Sequence, residues 1–253
     1  MFLNTLAAEF TKLRTTASFW WTTALFIGLA LGWAALTGST TMEADGGFPT
    51  LWASSTVAAV YLIGFPVLMI QSIMLVTTEY RYQLQSATFL ATPRRWTVAL
   101  AKLLLYAAFA AALTFLVVVA AFFIAKTLAP PSAAAMFEPL QDPAAQEIMW
   151  VYPAAAAMIV MFSQGMALLL RQTAGTVALM LIWFMGLEQI FRLVPKVGHD
   201  IVRYLPFENL NAFVNDFALD GVAWDVKGSG AFFLAWAVVT WVAGVVVLQR
   251  RDA

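Results

Sequence analysis

The chain has 253 residues, of which 62% are hydrophobic and 11% charged, and its 14 Lys and Arg balance its 14 Asp and Glu. Soluble domains carry roughly 25% charged residues, so with a mean hydropathy of +0.81 a water-soluble core is excluded and the bilayer is the expected solvent. The zero net charge gives no sign of a nucleic-acid partner, and the absence of cysteine removes disulfides, thiolate metal ligands and Cys nucleophiles together.

Taken from the N-terminus, Phe2, Leu3, Leu6, Phe10 and Leu13 recur at helical spacing, with Glu9, Lys12 and Arg14 off that stripe. The pattern predicts a short amphipathic helix over residues 1–16, lying in the inner interface before the chain turns into the membrane. Trp20 and Trp21 follow where an aromatic belt would sit. The stretch Ala34-Ala35-Leu36-Thr37-Gly38 resembles a signal-peptide cleavage region, but the apolar run before it exceeds an ordinary h-region, so retention as a span is expected.

Residues 15–42, 46–78, 103–125, 148–170, 172–187 and 228–249 contain no Asp, Glu, Lys or Arg. Crossing about 30 Å of hydrocarbon takes about 20 helical residues. Spans are therefore predicted near 17–38, 53–77, 99–125, 150–170, 173–193 and 230–248, the fifth extending past Glu188. Six spans put both termini on one side. With that side cytoplasmic, Lys12, Arg14, Arg81, Arg94, Arg95, Lys102, Arg171, Arg250 and Arg251 lie inside, against Lys126, Arg192, Lys196, Arg203 and Lys227 outside. The bias favours N-in and C-in.

The loops differ in character. Residues 39–52 are short and acidic at Glu43 and Asp45, and residues 126–149 carry four prolines, the mark of a turn-rich cap. Residues 194–229 hold two amphipathic pieces around Pro206, too apolar for a solvated loop and too charged to span. A helical hairpin dipping into the outer leaflet is expected there, since irregular backbone at that depth survives when packed on protein.

Sites for chemistry are scarce. His199 is the single histidine, so neither a His-pair metal motif nor a Ser-His pair with a spare can be built. No Gly-x-x-x-x-Gly-Lys-Ser/Thr sequence occurs, so the chain has no P-loop for ATP. Polar groups inside spans are costly and need partners. Glu188 and Arg192 stand one turn apart on the fifth span, to be read as an interfacial ion pair or as part of a gate or substrate passage. Gln71 with Ser72, and Ser163 with Gln164, are placed to bond neighbouring helices, and Gly28 and Gly32 supply small-xxx-small spacing. Phe65, Met69, Phe184 and Met185, with Gln71 and Glu188, are candidates to line a greasy substrate route; packing against lipid or neighbouring helices is the other reading of such apolar side chains.

Between the second and third spans, residues 79–96 form a charged linker ending Thr92-Pro93-Arg94-Arg95-Trp96. Residues 86–91 predict a short helix closed before Pro93. Phe89 and Leu90, apolar in a charged inner linker, require a partner surface or the interface itself.

Three features together resemble the ABC-2 (type-2 ABC exporter) permease family, the group that includes bacitracin- and daunorubicin-export permeases. Glu9, Lys12-Leu13-Arg14 and Trp20 resemble its interfacial elbow helix. Glu79-Tyr80-Arg81, followed by Thr88-Phe89-Leu90-Ala91-Thr92-Pro93-Arg94-Arg95 and then Lys102, resembles its coupling-helix region. Leu248-Gln249-Arg250-Arg251-Asp252 resembles its close after the sixth span. Family members often carry Gly-Thr soon after Glu-Tyr-Arg, where this chain has Gln83-Leu84. The resemblance implies an all-α polytopic protein with a single transmembrane domain over 1–253. It would be a non-enzymatic permease subunit of a multidrug or antibiotic exporter in the bacterial plasma membrane. Two such permeases, alike or related, would pair, and two separate ATPase subunits would hold ATP and Mg, with no cofactor on this chain. Glu79, Tyr80, Arg81, Thr88, Phe89, Leu90, Pro93, Arg94 and Arg95 would couple to the ATPase, and a drug, peptide or lipid would be exported. An ion-coupled secondary transporter, and an ABC-family complex for membrane maintenance or sensing, stand as alternatives.

Overall fold

The structure, a computed structural model, describes residues 2–43, 50–82, 94–195 and 198–250. The expectations placed on Asp45, on the short helix at 86–91 with Thr88, Phe89, Leu90 and Pro93, on Lys196, on Arg251 and Asp252 and on the side chain of His199 lie outside the described residues. Among the described residues every regular element is helical. Six helices are long and apolar enough to cross a membrane, and the chain is a multi-pass membrane protein. They are α2 (Ala17–Thr40), α3 (Ala53–Arg81), α4 (Arg95–Leu128), α6 (Pro143–Leu170), α7 (Thr173–Phe191) and α10 (Val226–Arg250). Between them lie α1 (Phe2–Thr15), α5 (Pro131–Met136), α8 (Gly198–Val202) and α9 (Pro206–Val214).

Burial ranks the six. The most apolar windows of α3 and α6 are 61% and 56% buried, against 17% for α7. α6 is the hub, packed against α10, α4 and α3. Hydrogen bonds reinforce that packing where the sequence placed polar pairs: Ser72 donates to the Val160 carbonyl at 3.0 Å and Gln164 to the Lys102 carbonyl at 3.4 Å. Ser163 lies beside them, fully buried, and its hydroxyl has no partner among the described residues.

Small residues set the closest approaches, because apolar association in lipid rests on van der Waals packing rather than water release. They are not the pair expected. A Cβ on Gly28 or Gly32 would meet nothing within 4 Å, so these two make no close contact within the chain. α2 instead turns Phe19, Thr23, Phe26, Ala30, Ala34 and Gly38 inward, and a Cβ on Gly38 would lie 2.4 Å from the Ala125 carbonyl oxygen of α4. Gly165 of α6 similarly lies against the Thr240–Trp241 backbone of α10, where a Cβ would come within 2.7 Å.

Two of the long helices loosen into π-turns, at Val60–Gly64 in α3 and Trp183–Leu187 in α7. The turns face each other: the Tyr61 and Phe184 rings are 5.2 Å apart. Gly64 is needed where it stands, since a Cβ there would sit 2.2 Å from the Phe26 ring. Gly186 takes φ 144°, a conformation that glycine alone adopts without strain.

Replacing Gly165 by valine should therefore cost about 1–3 kcal/mol through overpacking, read as a lowered unfolding temperature in detergent. Gly32→Ala should leave it unchanged. A larger loss for Gly32→Ala would mean that this face is the packed one.

Candidate functional site

α1 determines the site, and it does so with its charged side. Its buried residues are Glu9 and Leu13, whereas Leu3 and Phe10 are exposed. The apolar stripe expected to lie in the interface faces outward in part, and a carboxylate is directed into the protein. The reason is Lys102, two turns into α4 and only 4% exposed, which the Glu9 carboxylate neutralises.

Four side chains from three helices close the cluster. Lys102 donates to Glu9 at 2.5 Å and to Glu79 at 2.8 Å; Lys12 donates to Glu9 and to Glu79, each at 2.7 Å. Positive and negative groups alternate around the ring, and the formal sum is zero. Burying an isolated ion costs several kcal/mol, whereas an alternating, hydrogen-bonded set offsets most of that cost. The set is graded: the Glu9 and Lys102 side chains are 1% and 5% exposed, and that of Lys12 is 44% exposed. Burial opposes the charge on Lys12, but hydrogen bonds to Glu79 and Glu9 outweigh it and hold its pKa above the ordinary lysine value.

Position gives the ring its consequence. Glu79 lies two residues from the end of α3, and Lys102 lies in the first turns of α4. The intervening linker is thus pinned at both roots, and α1 is pinned to each. The neighbouring predicted residues share this end of the bundle. The Arg171 guanidinium lies 5.1 Å from the centre of the half-buried Tyr80 ring. Arg95 donates to the Leu248 carbonyl at 3.4 Å, tying the start of α4 to the end of α10. Arg94 is exposed just ahead of α4, its carbonyl accepting from the Thr97 hydroxyl at 2.7 Å. Arg14 is exposed, with its carbonyl accepting from the Trp20 indole at 2.9 Å. Arg81 is exposed beside Tyr82.

A cleft of about 620 Å³ opens beside the ring, between α1, α2, α3 and the start of α7. Gln71 lines it, its amide nitrogen within hydrogen-bonding distance of Thr22 Oγ1 at 2.5 Å and Thr23 Oγ1 at 3.1 Å and its oxygen accepting from the Tyr106 hydroxyl at 2.5 Å. The other residues considered for a substrate route lie elsewhere. Phe65 and Met69 are fully buried in the core. Phe65 joins Phe184 through Tyr61, with centroids at 5.7 and 5.2 Å. Met185 is 81% exposed.

Glu188, at the opposite end, does not pair with Arg192. It is 2% exposed and accepts from the Phe207 and Glu208 backbone amides at 2.9 and 2.6 Å and from the Trp183 indole at 2.6 Å. It therefore caps the N-terminus of α9, where a carboxylate complements the unpaired N–H groups. Arg192 pairs with Glu208 instead, and Gln189 donates to Glu208 at 3.0 Å. Glu188 and Arg192 still stand one turn apart on regular helix, but the Phe207 and Glu208 amides and the Trp183 indole occupy the Glu188 carboxylate while Glu208 draws Arg192 away.

Sequence reasoning named Glu9, Lys12, Glu79 and Lys102 separately but did not join them. The available signal was charge bookkeeping: with both termini on one side, Glu9, Glu79 and Asp252 are the only carboxylates that side receives, against nine cations. Among the described residues no group of three or more His, Asp or Glu converges as a metal-holding set. No protein-family model and no curated protein matches the chain.

Removing one buried member of the ring leaves its partner uncompensated, so Lys102→Met and Glu9→Gln should each cost about 3–5 kcal/mol. Lys12→Met, at the exposed corner, should cost about 1 kcal/mol or less. The double variant Glu9→Gln/Lys102→Met should cost less than the two single losses summed. Chemical unfolding in micelles measures all four, and equal losses at Lys12 and Lys102 would contradict the grading.

Proposed function

We propose that this chain is the permease subunit of an ATP-driven exporter of the ABC-2 type, moving a hydrophobic or amphipathic drug, peptide or lipid out across the plasma membrane. The observation that carries the reading is the ring at the roots of the linker: Glu79 and Lys102 sit on either side of residues 83–93 and both bond α1. A linker that receives force from outside needs such roots. Pushed from below, it would shift the ends of α3 and α4 together with α1 instead of bending at its base.

In this reading the end of the bundle holding α1 and the end of α10 faces the cytoplasm, with α1 in the inner interface as an elbow helix. Two ATPase subunits, carrying ATP and Mg, dock beneath a pair of permeases. Phe89 and Leu90 enter an ATPase groove, and Arg94 and Arg95 meet its rim. A second permease would find poorly covered helices in α2 and α7, whose apolar windows are 28% and 17% buried, α10 being as open as α2, with Gly28 and Gly32 open on α2. ATPase closure would travel through residues 79–96 and the ring into α3, and through the Tyr61–Phe184 contact into α7. α8 and α9 would close the route at the outer side, held by Glu188.

A second reading, an ion-coupled secondary transporter, draws on Glu188 itself, a buried carboxylate that accepts only N–H donors and has no ion-pair partner among the described residues. It requires proton- or sodium-dependent flux in vesicles holding this chain alone, lost in Glu188→Gln.

Phe89→Asp combined with Leu90→Asp should abolish co-purification of the ATPase chain from host membranes while leaving the permease folded by circular dichroism. Undiminished recovery of ATPase, together with substrate-stimulated hydrolysis, would overturn the docking assignment.

A further inference from the structure

The 620 Å³ cleft falls within the roughly 300–1,000 Å³ of small-molecule sites. It is also graded from end to end. Gln71 and Tyr82 both line it, and the rise between them along α3 is about 16 Å. That is about half the hydrocarbon thickness of a bilayer, so the cleft runs from the helix ends to the middle of the bundle. At its mouth lie Lys12, Arg81 and Tyr82; at depth lie Phe19, Leu75 and the Gln71 amide.

The charges at the mouth are unequal. The four charged side chains lining the cleft are three cations, Lys12, Arg81 and Lys102, and one carboxylate, Glu79. Glu79, and Glu9 behind it, each bond both lysines, so the ring is neutral and the surplus charge at the mouth is that of Arg81. Arg81 is in no ion pair among the described residues; its guanidinium lies 5.7 Å from the centre of the Tyr82 ring. Lys12, 44% exposed, retains donor capacity toward the cleft. An anion placed between Lys12 and Arg81 gains two charge-assisted donors, whereas a cation there meets the unpaired guanidinium of Arg81.

We infer that this cleft is a binding site for an amphiphile with an anionic headgroup, the headgroup between Lys12 and Arg81 and an apolar tail against Phe19 and Leu75. An inner-leaflet lipid and a free amphiphilic anion share that chemistry. The inference is independent of ATPase docking, because the ligand contacts this chain alone.

The test titrates the purified full-length chain in neutral maltoside detergent with dodecyl phosphate, dodecyltrimethylammonium and inorganic phosphate, following binding calorimetrically. Dodecyl phosphate should bind, and the other two should bind at least about 100-fold more weakly, since headgroup and tail each supply part of the affinity. Arg81→Gln, an exposed residue outside the ring, should weaken dodecyl phosphate about tenfold through loss of one charge-assisted contact. Leu75→Trp, filling the apolar end, should remove the advantage of the tail. Nanodiscs with and without phosphatidylglycerol then separate the sources: competition by that lipid identifies the leaflet, and its absence identifies a free anion. Equal binding of the cationic and anionic amphiphiles would overturn the inference. So would equal binding of phosphate alone, unchanged affinity in Arg81→Gln, or no binding by any probe, as when a second copy closes the cleft.

Discussion

A bilayer offers no water to a charge, and the ring of Glu9, Lys12, Glu79 and Lys102 is how this fold meets that constraint. Lys102 lies inside a 34-residue helix, and a lone ammonium there would be strongly disfavoured. Two carboxylates from two other helices neutralise it, and a second ammonium balances them. No pair within the ring would suffice alone, because each carboxylate accepts from both lysines. The position of α1 against α4 and the alignment of the ends of α3 and α4 follow from closing this ring. The ring thus fixes three helices at one end more firmly than apolar packing could, since lipid is as apolar as the side chains it would replace.

The other end of the bundle uses neutral donors where the ring uses cations. Glu188 is held by two backbone amides and an indole, and its negative charge rests on the N-terminal partial charge of α9. Between the two ends, the π-turns of α3 and α7 meet through Tyr61 and Phe184. π-turns leave backbone carbonyls imperfectly matched and occur often at functional sites. Here the aromatic chain from Phe65 through Tyr61 and Phe184 to Phe207 links α3, α7 and α9 with centroid spacings of 5.2–5.7 Å. A shift of α3 at its charged end therefore has a packed path to the Glu188 cap.

Much of this fold was legible in the sequence because the bilayer imposes a simple rule. Each uncharged run holds one span, and the pieces around Pro206 form helices α8 and α9. What was not legible depended on which face a helix turns inward. In α1, periodicity gave an interfacial helix with Glu9 off its apolar stripe, but nothing in that pattern marks Glu9 for burial; a carboxylate buried by a lysine 93 residues away leaves no local trace. In α2, Gly28 and Gly32 carried the familiar spacing, but Ala30, Ala34 and Gly38 make the contact, and several such stripes coexist on one small-residue helix. Glu188 and Arg192 keep the helical spacing that suggested a pair, but the amides of α9 and the Glu208 carboxylate, distant in sequence, bind them first. Each miss came from applying a local rule where tertiary geometry decides.

Lys12 belongs to both the ring and the cleft, and that shared membership connects them. The Glu9–Lys102 contact is shielded on both sides, whereas the Lys12–Glu79 contact has its ammonium half exposed toward the cleft. An anion at the mouth would compete with Glu79 for Lys12 and would find Arg81 to balance the added charge. Glu79 would keep Lys102, so α3 and α4 would stay joined while the direct link from α1 to α3 weakened. The ring can therefore lose one of its four contacts without exposing an uncompensated buried ion, because the labile contact is the one nearest water. Filling the cleft and moving the roots of the linker thus act on the same ammonium, which is the physical requirement for one event to influence the other.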